Sequence, residues 1–199
     1  MKPILAIQGG TNQAIQSLML TFARHRATRG VRIAGLVEVR DETAENACAR
    51  DRLHDLVGGR IFPIHQDLGP GSTACQLAGT GVAEACETVR RQILAGCDLA
   101  VLSKFGKLEA GRSGLVAAFA AAVETGTPIL TAVAPRFTEE WATFSGALGA
   151  FAPPCRDRLD AWWDGLRAHP SPLMMDMAQC RVPMVSVASN RPSIVRDAR

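Results

Sequence analysis

Short apolar runs alternate with segments of helical period along residues 1–168, and that alternation restricts the fold more than any other feature of the chain. ILAI (residues 4–7) has the length and character of a buried strand, and QGGTNQ follows it as a loop. Over residues 14–29 apolar side chains recur at Ile15, Leu18, Met19, Phe22 and Ala23, a spacing that lines one face of a helix. Gly30 fits the C-cap of that helix. Residues 31–39 are β-branched and apolar, a second strand. Strand, helix and strand in that order predict a right-handed crossover and a parallel pair. The pattern recurs downstream. Residues 82–95 predict a helix ending at Gly96, 98–102 a strand, 115–124 a helix closed by Gly126, and 127–133 a strand. Residues 139–148 and 156–167 predict two more helices. Residues 40–60 are polar and charged, with a helix-like patch over 45–57. IFPIH (61–65) carries Pro63 and predicts an edge strand or a strand end.

The chain has 199 residues, enough for one sizeable core. The expectation is a three-layer α/β domain with a mostly parallel sheet over residues 1–168. From His169 the composition shifts toward Pro and Met, so 169–199 reads as a C-terminal extension. Within it VPMVSVA predicts a last strand and NRPSIVRDAR a fraying tail.

In such sheets ligands bind beyond the carboxyl ends of the strands. Three loops follow candidate strands and are glycine-rich or basic: 8–13, 67–76 and 103–114. They are expected to converge at one edge. In the first, Gly9, Gly10, Thr11 and Asn12 lead into a helix N-terminus, whose N–H groups and dipole attract anions. Thr11 and Asn12 also suit plain helix capping. The P-loop pattern G-x-x-x-x-G-K-[ST] is missing, and the first basic residue after the glycines is Arg24, several turns down the helix. In the second, Gly71, Ser72 and Thr73 fit an anion-binding nest or a surface turn. Asp67 there has the chemistry to orient a water, a metal or a lysine. In the third, Ser103, Lys104, Lys107 and Arg112 supply the charge-assisted donors that an oxyanion needs. Glu109 reads as a base, a metal ligand or a partner of Lys107 or Arg112. Arg136 adds a fourth cation after the 127–133 strand. Trp141, Trp162 and Trp163 read as core or interface anchors.

Several classes are disfavoured. A net charge of +3, 5% aromatics and no tyrosine give little to hold nucleic acid. No apolar run reaches the roughly 18 residues of a membrane span. MKPILAIQGG lacks the layout of a signal peptide, so a cytoplasmic protein is expected. The cysteines at 48, 75, 86, 97, 155 and 180 show no C-x-x-C or zinc-ligand spacing. Reduced thiols are expected, with Cys86 and Cys97 packed as small hydrophobes.

The run CDLAVLSKFGKLEAGRSGLVAAFAAAVETGTPILTAVAPR, together with DLGPGSTACQL and the AWW near residue 161, resembles the bacterial family designated domain of unknown function 2478. The likeness spans about residues 1–167, and FGKLEA with the preceding DLG loop is its specific part. FGKLEA is also distantly similar to the I-G-K-M-E segment of THEP-type nucleoside-triphosphatases. The resemblance implies a P-loop-NTPase-like fold. It also implies molybdate or tungstate as the ligand, because the family is often encoded beside molybdate-transport genes. This chain has Ser103 where family members tend to have Asn, and Ala74-Cys75-Gln76-Leu77 where they have G-C-R/K-L, which removes a polar side chain and a cation from the implied site.

Three functions follow. The first is binding of a tetrahedral oxyanion, molybdate or tungstate, with no catalytic residue. The second is a nucleotide-binding protein or weak NTPase with a degenerate P-loop, using Lys107 for phosphate charge and Glu109 or Asp67 for water or Mg²⁺. The third is a non-catalytic interaction protein working through its Trp- and Met-rich C-terminal third. A homo-oligomer is compatible with each.

Overall fold

The computed structural model describes residues 1–41, 51–66, 76–77 and 79–168. The 67–75 loop with Gly71, Ser72 and Thr73, the cysteines 48, 75 and 180, and the extension 169–199 lie outside the described residues.

Nine strands and six α-helices are described: β1 (Ile4–Ile7), α1 (Asn12–Ala27), β2 (Ile33–Arg40), β3 (Asp51–Asp55), β4 (Ile61–Pro63), β5 (His65–Gln66), β6 (Gln76–Leu77), α2 (Gly79–Leu94), β7 (Leu99–Phe105), α3 (Lys107–Ala110), α4 (Val116–Glu124), β8 (Ile129–Val133), α5 (Thr138–Ser145), β9 (Gly149–Ala152) and α6 (Arg156–Ala168). Seven strands form one sheet in the order β4-β3-β2-β7-β8-β1-β9. From β2 to β9 every neighbouring pair is parallel. β3 and β4 extend it as an antiparallel hairpin edge, and β5 pairs with β6 separately.

The near-continuous apolar strands follow from burial on both faces. Leu5, Ile7, Val37, Val101 and Leu130 point to one side, against Met19 and Phe22 of α1 and Leu159, Trp162 and Trp163 of α6. Ile4, Ala6, Leu36, Leu102 and Ile129 point to the other, against Val89 of α2, Phe119 of α4 and Trp141 of α5. The three tryptophans are therefore core residues. The structure is thus a three-layer α/β domain with a mostly parallel sheet.

Several elements differ from expectation, among them α3, which forms from Lys107–Ala110 inside the expected 103–114 loop, and α2, which starts at Gly79 rather than 82. Residues 51–55, placed in a helix-like patch, form β3. In its DRLHD, Asp51, Arg52 and His54 are half-exposed, Leu53 is buried, and the buried Asp55 accepts the Val57 and Gly58 N–H groups of the turn that follows. β7 runs on through Ser103, Lys104 and Phe105, because Gln16 bonds the Ser103 carbonyl, Glu38 pairs with Lys104, and Phe105 packs on Trp141 and Phe144. Gln76 and Leu77, taken as loop, form β6. β9 was not expected at all, since GAFA is short and poor in β-formers.

Candidate functional site

β1 connects through α1, on one face, to β2. β8 connects through α5, on the other face, to β9. Neighbouring strands that leave in opposite directions open a crevice at their carboxyl ends, where ligands bind in open α/β sheets. That point lies between β1 and β8. A hydrogen bond from Gln8 Nε2 to Thr138 Oγ1 (2.9 Å) crosses it.

Only Gln8, Gly9, Gly10 and Thr11 stand between β1 and α1. Gly9 (φ 94°) and Gly10 (φ 107°) adopt the left-handed backbone that glycine allows, and both are exposed. Pro154 closes one side of the turn, since a Cβ on Gly10 would lie 3.4 Å from its Cγ. Thr11 is the N-cap, accepting from the Ala14 N–H at 3.3 Å. The first turn of α1 contains no acid of its own, so no side chain of the helix offsets the positive end of its dipole.

Asn12 Nδ2 donates to Glu38 Oε1 (2.5 Å), and Lys104 Nζ pairs with Glu38 Oε2 (2.5 Å). Gln16 joins the same group: its Oε1 accepts the Glu38 N–H (2.8 Å) and its Nε2 donates to the Ser103 carbonyl (2.6 Å). These bonds tie the ends of β2 and β7 to the first turns of α1. Ser103 is buried within β7 rather than presented on a loop.

Beyond β7, Glu109 shapes the basic loop. Its Oε2 accepts the Gly106 N–H (3.0 Å) and its Oε1 the Leu115 N–H (2.9 Å). Both oxygens are thus spent on backbone, and Glu109 is buried. It is a clasp, a role absent from the three considered for it from sequence. Lys107 and Arg112 are exposed on this loop, with Arg112 itself in left-handed backbone (φ 58°). Arg136 is exposed after β8, its guanidinium 5.0 Å from the centre of the Phe137 ring. Neither Lys107, Arg112 nor Arg136 has an ion pair among the described residues. Parallel strands carry all these loops to one edge of the sheet.

Sequence reading missed Glu38, Gln8 and Gln16. Glu38 was the lone acid in an apolar strand, and that was its available signal. Among the described residues no three His, Cys, Asp or Glu side chains group as a metal site. No helix there is long and apolar enough to cross a membrane. Cys86 and Cys97 behave as packing residues: burial raises the Cys86 thiol, and pushes Cys97 up to about 11 despite a hydrogen bond with Thr127.

A sheet of this topology with a glycine turn entering a helix at its switch point defines the class as P-loop-NTPase-like, here with a turn too short for the P-loop pattern. THEP1 from the hyperthermophile Aquifex aeolicus shares the fold, with a TM-score of 0.54 over 83% of this chain and 96% of that one, at 11% identity. The model of the family DUF2478, described as a protein of unknown function, matches residues 4–162, and the chain belongs to that family. A molybdenum import ATP-binding protein, ModC 2 of Bradyrhizobium diazoefficiens, is 35% identical over 149 residues. That match takes in 75% of this chain but only 17% of the relative's length.

Proposed function

We propose that the chain binds a tetrahedral oxyanion, molybdate or tungstate, at the carboxyl ends of β1, β7 and β8, and that it binds without hydrolysing a nucleotide. One observation carries the reading. A helix N-terminus with no acid in its own first turn, behind Gly9 and Gly10, shares a sheet edge with Lys107, Arg112 and Arg136, exposed cations without an ion pair among the described residues. Donors and cations of this kind hold a doubly charged anion with no catalytic base. The similarity to a molybdenum import protein supports the choice of oxyanion.

A second reading is nucleotide binding. The P-loop-NTPase-like fold favours it, as does the ATP-binding name of that relative. The four residues from Gln8 to Thr11 weigh against it: they are too few to wrap a β-phosphate and carry no lysine. Calorimetric titration with molybdate, tungstate, sulfate, phosphate, ATP and GTP, with and without Mg²⁺, separates the two. Heat with molybdate or tungstate alone is expected. Heat only with Mg-nucleotide replaces this reading by the second, and no heat with any ligand removes both and leaves an interaction protein.

A further inference from the structure

Gln8 stands between β1 and the glycine turn and bonds in two directions. Its backbone N–H donates to the Ala152 carbonyl (3.0 Å), which extends the pairing of β1 with β9. Its side-chain Nε2 donates to Thr138 Oγ1 (2.9 Å), 130 positions away at the first residue of α5. The Thr138 hydroxyl has a single proton, and that proton goes to the Pro135 carbonyl (2.7 Å). Toward residue 8 the hydroxyl can therefore only accept. This fixes how the Gln8 carboxamide faces, with its nitrogen toward α5.

Pro135 opens the 3₁₀ turn Pro135–Phe137 that carries Arg136. Ala134, Pro135 and Arg136 are all exposed, so burial of their side chains does not hold the turn. Phe137 anchors one end of it against the core, and the Arg136 guanidinium lies 5.0 Å from the centre of that ring. The other hold is the chain from Gln8 through Thr138 to Pro135, which crosses the crevice between β1 and β8. Through it the spacing of the Arg136 turn and the glycine turn is set before a ligand arrives. Groups already spaced for a ligand lose less freedom on binding it.

We propose that Gln8 is a positioning residue of the anion site: by donating to Thr138 it holds the Arg136 turn in register with the Gly9–Gly10 turn, so that one oxyanion meets both. This rests on the anion reading above. Gln8 acts through Arg136 rather than as a ligand.

Molybdate titration of the full chain tests it, in wild type, Gln8→Met, Thr138→Val, Thr138→Ser and Arg136→Gln, and with the first two changes repeated in the Arg136→Gln background. Gln8→Met keeps the length and loses the donor, while Thr138→Val keeps the shape and loses the hydroxyl. Each is expected to lower molybdate affinity about fivefold, the worth of one hydrogen bond. Thr138→Ser retains the hydroxyl and is expected to bind as wild type does. Gln8→Met and Thr138→Val are also expected to flatten the salt dependence of binding, as Arg136→Gln does, because Arg136 no longer brings its charge to the ligand. In the Arg136→Gln background neither is expected to change affinity further, which a general loosening of the fold would not produce. Loss in Gln8→Met alone means that Gln8 touches the anion directly, loss in Thr138→Val alone that Gln8 is idle, and either overturns the positioning role. If wild type binds molybdate and neither variant alters its affinity, the role falls and the anion site stands. If wild type binds no molybdate, the site and the role fall together. Urea unfolding checks that each variant folds. Should Thr138→Val not fold, Gln8→Met with and without Arg136→Gln carries the test, and a loss that persists without Arg136 overturns the proposal.

Discussion

The carboxylate of Glu109 holds the loop after β7 by accepting the N–H groups of Gly106 and Leu115 at its two ends. Gly114 lies against it: a Cβ there, at φ 64°, would overlap the Glu109 carboxylate. Removing the acceptor leaves two buried donors without partners. Glu109→Ala should therefore cost about 1–3 kcal/mol, read as a shift in the urea midpoint at constant slope. A loss under half a kilocalorie would mean that water replaces the carboxylate at no cost. Cys97 gives a pH prediction. Burial raises its thiol to about 11 in the folded chain, so the folded state keeps a proton that the unfolded chain gives up at lower pH. The contribution of Cys97 to stability is then complete below the ordinary thiol range and is lost as pH climbs toward about 11. Cys97→Ala should flatten the fall in stability over that window, and a fall of unchanged steepness would remove Cys97 as its source.

At the scale of elements, β2 and β7 lie in parallel register from Ile33–Leu99 to Gly35–Val101. Gly35 sits at φ 152°, and a Cβ on it would run into the backbone of Val101. Gly35→Ala should thus cost about 3 kcal/mol through strain and overlap, seen as a drop in melting temperature with unaltered far-ultraviolet circular dichroism after refolding. A neutral outcome would show that the two strands separate easily. On the α1–α6 side, Arg26 is buried between Asp160 (2.5 Å) and Asp164 (3.7 Å) and stacks on Phe22 and Trp163. Arg26→Ala loses that stacking and one partner of Asp160, which keeps Arg156 at 3.5 Å, for about 1–2 kcal/mol by chemical denaturation. These elements also show what the sequence made legible. α1, α2 and α6 announce themselves by apolar period, and β1, β2 and β8 by apolar runs, because each buries a face in the core. β9 and the end of β7 are held by neighbours distant in the chain, β1 in one case and Glu38 with Gln16 in the other. No local pattern records such partners. For the same reason the cations of the candidate site were readable as a cluster in sequence, while the pairing of Glu38 with Lys104 was not.

The whole molecule has two unlike edges. At the amino ends of β2 and β7, Arg32 is paired with Asp98 through Nη2 (2.6 Å) and Nε (3.1 Å), so its charge is spent within the chain. At the carboxyl ends, Lys107, Arg112 and Arg136 are exposed without an ion pair among the described residues. An oxyanion has reason to choose the second edge, and a net charge of +3 spread evenly would not give it one. Lys107→Gln combined with Arg112→Gln should lower molybdate affinity at least about tenfold and make what remains less sensitive to salt. Both side chains are exposed, so the melting temperature should hardly move. Arg32→Gln is the control: it removes one positive charge, against two, from the opposite edge, 66 positions in sequence from its partner Asp98, and should leave affinity unchanged. A logarithmic loss in Arg32→Gln half that of the double variant would mean that molybdate responds to the overall charge of the protein. Loss in the Lys107 and Arg112 variant alone would tie binding to the carboxyl edge, and the size of that loss would measure how much of the attraction Lys104, held by Glu38, does not supply.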